Sequence, residues 1–212
     1  DVFVIRDNIA GSYSSMSGGS IQLFPFIVLD GYGGAVRLNG FSSADMLTGS
    51  YERTETDGVY RLTLSDENGT QYEYLNRFGA YNGRNVFLTA DGLQGTYTFE
   101  MESSAYGAGT MTAVLDGFNS ATWTFVPDAG AQTNGNATYT LLAAYQEAGE
   151  AEGETVTYGL VRLSVGDVTT YTLRFVLDGS GNYQAELIGD EAGIYSEYNA
   201  VSGYTARILL KG

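Results

Sequence analysis

The sequence contains no cysteine and no histidine among its 212 residues. Without cysteine the chain forms neither disulfides nor thiolate metal sites. Without either residue it cannot assemble a Ser-His-Asp triad, a Cys-His nucleophile or an imidazole zinc site. These absences exclude most hydrolase and zinc chemistry, and we expect a protein that is not an enzyme, with no catalytic residue, metal or cofactor.

Basic residues are also scarce, with 10 Lys and Arg against 25 Asp and Glu and a net charge of −15. Nucleic-acid phosphates and anionic membrane surfaces both require Lys and Arg, so neither is an expected partner. No apolar run approaches the roughly 20 residues of a membrane span, and we expect no membrane insertion. The acidity mainly favours solubility.

Proline occurs only twice, whereas the chain has 29 Gly, 17 Tyr and 10 Phe. Glycine at this level is typical of many tight turns, and the aromatic residues can fill a core. Pro25 interrupts the apolar run of residues 23–29. Because proline cannot donate to a strand ladder, we expect it at a strand start, an edge or a bulge.

The chain repeats itself with a period of about 86 residues. Five segments that place a tyrosine at a strand start alternate with four Asp-Gly turns. Equivalent positions lie 84 to 88 residues apart: Tyr13 and Tyr97, Asp30 and Asp116, Tyr51 and Tyr139, Asp91 and Asp178. The predicted units are residues 1–94 and 95–192, followed by a closing strand pair at 193–212; a single compact β domain is the alternative. Glu100 and Glu186 are also predicted to be equivalent.

Alternating apolar and polar residues on both sides of these turns predict antiparallel hairpins. The fold class is therefore all-β, a hairpin-repeat meander of about fourteen strands that forms a barrel or a sandwich, with two similar halves of about 86 residues. Less than a tenth of the chain should be helical, with one turn near residues 42–47. Residues 146–154 are an acidic insertion, predicted as an elongated hairpin tip, with a short helix as the alternative.

Three segments carry the pattern Asp-Gly with aromatic neighbours: Leu29-Asp30-Gly31-Tyr32-Gly33, Gly49-Ser50-Tyr51 with Asp57-Gly58-Val59-Tyr60, and Leu115-Asp116-Gly117-Phe118. This pattern resembles the lipocalin-like and related β-meander repeats in exported proteins of gut Firmicutes and Bacteroidetes. The resemblance implies an extracellular or cell-surface location and assigns no functional residue.

Aromatic side chains are the best candidates for binding, because exposed rings stack on sugars or anchor a protein partner. The candidates beside the repeated turns or on strands are Tyr32, Tyr72, Tyr74, Phe118, Trp123 and Tyr183. Two turns resemble calcium loops, at residues 178–182 and 66–68, but turn chemistry explains each better.

The preferred function is a non-catalytic extracellular binding or structural module of a larger bacterial protein, with a glycan or a protein as ligand. One alternative is a small-ligand carrier with an apolar lumen, which would require a closed barrel. The other is a carboxylate-dependent glycosidase, which needs two carboxyl groups across a cleft.

Overall fold

The computed structural model describes residues 7–17, 19–103, 107–149, 151, 153–166, 169–178, 181–188, 193–199 and 204–210, with backbone only for residue 103 and for the last two ranges. The chain is all-β and mainly antiparallel, as predicted. It separates into two compact units, Asp1–Ala90 and Asp91–Gly212. Each unit contains one barrel-shaped sheet.

The first unit is a closed barrel of seven strands in a meander. Because the number of strands is odd, the first and last strands run in the same direction, and they close the barrel by a parallel pairing of Ser14 with Val86. We call the end that carries the turn at residues 17–20 and the loop at 39–45 the upper end. The strands are β1 Gly11–Ser17, β2 Ser20–Leu29, β3 Gly34–Leu38, β4 Met46–Arg53, β5 Val59–Ser65, β6 Gln71–Tyr81 and β7 Arg84–Thr89.

The second unit repeats this plan. Its last segment changes partner at Ala185: β14 runs parallel to β8, and β15 runs antiparallel to β13. Gln184 pairs with Thr98 as Val86 pairs with Ser14, so residues 182–188 occupy the position of β7. The strands are β8 Gly95–Ser103, β9 Gly107–Leu115, β10 Ser120–Pro127, β11 Thr133–Ala148, β12 Thr155–Val165, β13 Thr169–Val176, β14 Asn182–Gln184 and β15 Glu186–Ile188.

The lower ends of the two barrels are closed by the same hydrogen bonds. Asp30 Oδ1 accepts from the N–H groups of residues 32 and 34, and Asp116 Oδ1 accepts from those of 118 and 120. The hydroxyl of Tyr13 donates to Ile9 O, and that of Tyr97 donates to Leu93 O. The predicted equivalence of Asp30 and Asp116 is thus confirmed, because the two side chains form the same turn.

The predicted equivalence of Asp91 and Asp178 is wrong. Asp91 precedes β8, and its backbone N–H donates to Gly117 O just as that of Asp7 donates to Gly31 O. Asp178 follows β13, where the first barrel has the turn between β6 and β7. Their spacing of one period is a coincidence, because Asp-Gly suits many kinds of tight turn.

Glu100 and Glu186 are likewise not equivalent. Glu100 lies on β8, which corresponds to β1, whereas Glu186 lies on β15, in the segment that corresponds to β7. Glu100 therefore lies on the first strand of the second barrel, and Glu186 lies in its last segment.

The strand pair after residue 192, which was predicted to close the second barrel, forms a separate two-stranded sheet. Among the described residues, β16 Gly193–Asn199 and β17 Tyr204–Leu210 pair only with each other. Gly193 pairs with Leu210 as Gly11 pairs with Leu29 and Gly95 with Leu115. The pair thus has the register of an opening hairpin. The side chains of this pair lie outside the described part of the chain.

The upper end of the first barrel contains an irregularity around Pro25. The β1–β2 ladder passes from Ser14 with Phe26 to Met16 with Ile21, and the β2–β3 ladder begins at Phe26. Residues 22–25 thus have no partner in either ladder, as expected for a segment that contains proline. The only helical turn among the described residues is the 3-10 turn Ser43–Asp45, which lies within the predicted segment and is capped by Ser42.

The described residues of the acidic insertion form the tip of a hairpin, as predicted, and none of them is helical. β11 and β12 pair without a break from Tyr145 with Tyr158 to Ala148 with Thr155. The rings of Tyr145 and Tyr158 stack with centroids 5.7 Å apart. Cross-strand aromatic pairing of this kind stabilises a hairpin, so the tip extends the sheet.

Candidate functional site

The structure distributes the six predicted aromatic residues over both units and does not assemble them into one site. Tyr32 is 62% exposed on the turn between β2 and β3, and Tyr72 is also exposed. Phe118 is buried although it occupies the turn position equivalent to Tyr32. Tyr183 is buried against Tyr97, with ring centroids 4.8 Å apart. The remaining two, Tyr74 and Trp123, pack partly buried within the first and second cores respectively.

A more exposed apolar surface lies at the upper end of the first barrel. Phe41 is 88% exposed, Leu23 is 68% exposed and Met46 is exposed as well. The ring of Phe41 meets that of Phe24 edge to face, with centroids 4.7 Å apart. We call these four side chains the apolar tip. Phe24 is partly buried, whereas the other three present their apolar groups to solvent.

Local structure explains why these residues point outward. Leu23 and Phe24 belong to the unpaired part of β2, so the alternation of the strand does not turn them toward the core. Phe41 lies in the loop that the capping box of Ser42 and Asp45 holds in shape. These residues are absent from the six binding candidates predicted from the sequence. The features of the sequence that could have indicated them are Pro25 within an apolar run and a phenylalanine between Gly40 and Ser42.

Below the apolar tip, the interior of the first barrel contains a buried cation. Arg37, the next-to-last residue of β3, is 8% exposed. Its Nε donates to Asn39 Oδ1 at 2.9 Å, and its guanidinium lies 4.1 Å from the centre of the Tyr74 ring. Nη1 has no hydrogen-bond partner among the described residues. Burial lowers the pKa of Arg37, because a low-dielectric interior disfavours an isolated charge.

A second polar group in the same interior is also incompletely paired. Asn76 is fully buried on β6 and accepts a hydrogen bond from the Thr89 hydroxyl at 2.9 Å. Its Nδ2 has no partner within the described part of the chain. Buried polar groups normally find partners, because an unpaired one costs about 1 to 3 kcal/mol. Arg37 and Asn76 are therefore unusual members of a core.

The second barrel has no such polar groups at these positions. Trp123 occupies the position that Arg37 has in the first barrel. Ala121 pairs with Leu115 as Ala35 pairs with Leu29, and Trp123 and Arg37 each lie two residues after their alanine. Leu62 pairs with Tyr74, and Leu163 pairs with Tyr171. Two residues further along the strand, Asn76 therefore corresponds to Leu173. The same scaffold thus has an apolar interior in one copy and a partly polar interior in the other.

A shallow depression lies beside Tyr32 at the lower end of the first barrel. It has a volume of about 260 Å³. Arg53 on its rim forms an ion pair with Asp57. The depression is lined by Asp7, Gly31, Tyr32, Gly33, Tyr51, Glu52 and Arg53.

Three of the carboxylates weighed as catalytic or metal-binding candidates, those of Glu186, Glu100 and Asp66, accept local hydrogen bonds. Glu186 accepts from Arg174 Nε at 3.0 Å, and this pairing raises the pKa of Arg174. Glu100 accepts from the Thr110 hydroxyl at 2.8 Å. Asp66 Oδ1 accepts from the N–H groups of Asn68 and Thr70, and the bond from Thr70 is the main cause that lowers its pKa.

No group of three or more acidic side chains among the described residues could hold a metal ion. In the candidate loop at residues 66–68, Asp66 forms the turn itself. The other candidate loop includes residues 179 and 180, which lie outside the described residues.

The chain matches no protein-family model, no curated protein and no solved structure. Within the part of the chain that the structure describes, no helix has the length and apolar character needed to cross a membrane.

Proposed function

We propose that this chain is a non-catalytic extracellular module of a larger bacterial protein, and that it binds a partner protein through the apolar tip of the first barrel. The observation that carries the proposal is the 88% exposure of Phe41, which contacts Phe24, with Leu23 and Met46 exposed at the same end of the barrel. Large apolar side chains grouped on a surface are typical of interaction sites. Aromatic anchors also contribute much of the binding energy in protein interfaces.

The composition of the apolar tip favours a protein over a glycan. Leu23 and Met46 offer flexible aliphatic groups, which fit the apolar pockets of a protein surface. A glycan site would combine a flat ring with several polar groups, as around Tyr32, where Glu52 and Arg53 adjoin the depression. The carrier alternative has less support, because aromatic and aliphatic side chains fill the core of the second barrel.

Partner capture with matched variants tests the proposal. The purified chain is immobilised and probed with arrays of host surface proteins and of glycans. The double variant L23S/F41S should reduce the affinity for a protein ligand at least about 10-fold, the loss expected when anchor residues are removed. The control V126S replaces an exposed valine on the second barrel and should bind as the wild type does. Equal binding by all three proteins, or binding of glycans alone that depends on Tyr32, would contradict the proposal.

A further inference from the structure

Among the described residues, the buried core of the first barrel contains three side-chain donors without an acceptor, on Arg37, Tyr51 and Asn76. Arg37 and Asn76 belong to the same part of the interior. The guanidinium of Arg37 contacts the rings of Tyr74 and Phe87, at 4.1 and 5.9 Å from their centres. Asn76 lies two residues after Tyr74 on β6. It pairs with Thr89, which lies two residues after Phe87 on β7. Side chains two residues apart on a strand share one face. Asn76 therefore points inward next to Tyr74, opposite the residue that follows Phe87 on the same face of β7.

An acceptor with negative charge would both complete the hydrogen bonds of these donors and balance the charge of Arg37. A buried charge requires a counter-charge or a full set of hydrogen bonds. Arg37 takes part in none of the ion pairs found among the described residues. Its single assigned acceptor is the uncharged Asn39 side chain. The equivalent positions of the second barrel, Trp123 and Leu173, have no such requirement, so the barrel architecture itself does not call for these polar groups.

We propose that the interior of the first barrel binds a small monovalent anion, which accepts hydrogen bonds from the Arg37 guanidinium and the Asn76 amide. One guanidinium balances one negative charge. This charge balance favours a halide or a short carboxylate over phosphate or sulfate, which carry more charge. The upper end is the route of entry, because Arg37 lies directly below the loop at residues 39–45 and the unpaired segment at 22–25.

The test measures thermal unfolding of the full chain by tyrosine circular dichroism, in a chloride-free buffer at constant ionic strength. Chloride, bromide, acetate, propionate, sulfate and phosphate are titrated separately. The unfolding temperature of the wild type should rise in a saturable manner with a monovalent anion. A lower saturating concentration for acetate or propionate than for chloride identifies an organic carboxylate as the natural ligand; the reverse order identifies a halide.

Three variants assign the effect to the proposed residues. R37M should abolish the response. N76L should weaken the apparent affinity about 10-fold, the effect of losing one hydrogen bond to a charged group. The control R61M removes an exposed arginine that pairs with Glu52 and Glu73 on the outer face, and it should respond as the wild type does. If R37M does not fold, N76L decides alone, because leucine occupies the equivalent position of the second barrel.

A bromide-soaked crystal provides an independent measurement. An anomalous peak beside Nη1 of Arg37 is the expected result, whereas an ordered water in that position would overturn the proposal. A temperature rise that is the same in the wild type, N76L and R37M would also overturn it, because it would be a general salt effect. The L23S/F41S variant should keep the anion response while it loses partner capture, so the anion site and the proposed function can fail separately.

Discussion

Truncation of Leu163 to alanine should strongly destabilise the second barrel. Leu163 is fully buried near the end of β12, where it pairs with Tyr139 and Tyr171. The change removes three carbon atoms, worth about 2.4 kcal/mol at roughly 0.8 kcal/mol for each buried methylene. The closed ring of strands resists collapse into the space, and the remaining cavity raises the expected loss to about 3 kcal/mol.

The only tryptophan of the chain provides a probe specific to this barrel. Trp123 packs against the core that contains Leu163, so its fluorescence reports the unfolding of the second barrel. With an m-value of about 2 kcal/mol per molar urea, a loss of 3 kcal/mol lowers the unfolding midpoint by about 1.5 M. The expected result is this shift with an unchanged m-value.

The matched control is the same substitution at Leu187, which lies on β15 of the same barrel and is 39% exposed. L187A should cost about 1 kcal/mol, because part of the side chain already contacts water and no closed cavity forms. If L163A lowers the free energy of unfolding no more than L187A does, the interior of the second barrel is not tightly packed. Its core side chains would then no longer count against an apolar lumen.

Two further predictions concern other parts of the fold. G49A should destabilise the first barrel by about 2 kcal/mol in a thermal melt, because a Cβ at Gly49 would lie 2.1 Å from the carbonyl oxygen of Thr63. The control G79A, with no atom within 4 Å of its new Cβ, should leave the unfolding temperature unchanged or raise it. Burial raises the pKa values of Tyr97 and Tyr139 above the ordinary 10.0. The stability that these two protonated hydroxyls contribute to the folded state is therefore present below pH 10 and is lost as the pH rises further. Y97F should reduce this alkaline loss of stability in urea titrations at pH 9 and 11, and an unchanged pH dependence would contradict its assignment.

Local features of the fold were predictable from the sequence. Asp30 and Asp116 form their turns through bonds to N–H groups two and four residues away, which depend only on the adjacent residues. The alternation of apolar residues likewise predicted the meander. Barrel closure was not predictable in this way, because the parallel pairing of β1 with β7 joins strands from opposite ends of a unit. The sequence left barrel and sandwich open for that reason.

The candidate sites were harder to predict, because composition does not determine which way a side chain points. Tyr32 and Phe118 occupy the same turn position, yet only the former is exposed. The outward direction of Phe41 follows from the shape of its loop, and that of Leu23 from the unpaired segment of β2. The polar interior of the first barrel emerges only from alignment of the two strand ladders, which matches Arg37 with Trp123.

Truncation tests which segment closes the second barrel. Because residues 182–188 pair with both β8 and β13, the ladder is complete before Gly193. Removal of residues 193–212 should therefore leave a soluble protein with its Trp123 unfolding transition intact, whereas loss of a strand pair that closed the barrel would leave an aggregated protein. Removal of residues 182–212 should expose the edges of β8 and β13 and uncover Tyr97, which stacks on Tyr183, and exposed edges promote association. Size-exclusion chromatography separates the outcomes: a monomeric longer deletion, or an aggregated shorter one, would show that the barrel closes elsewhere.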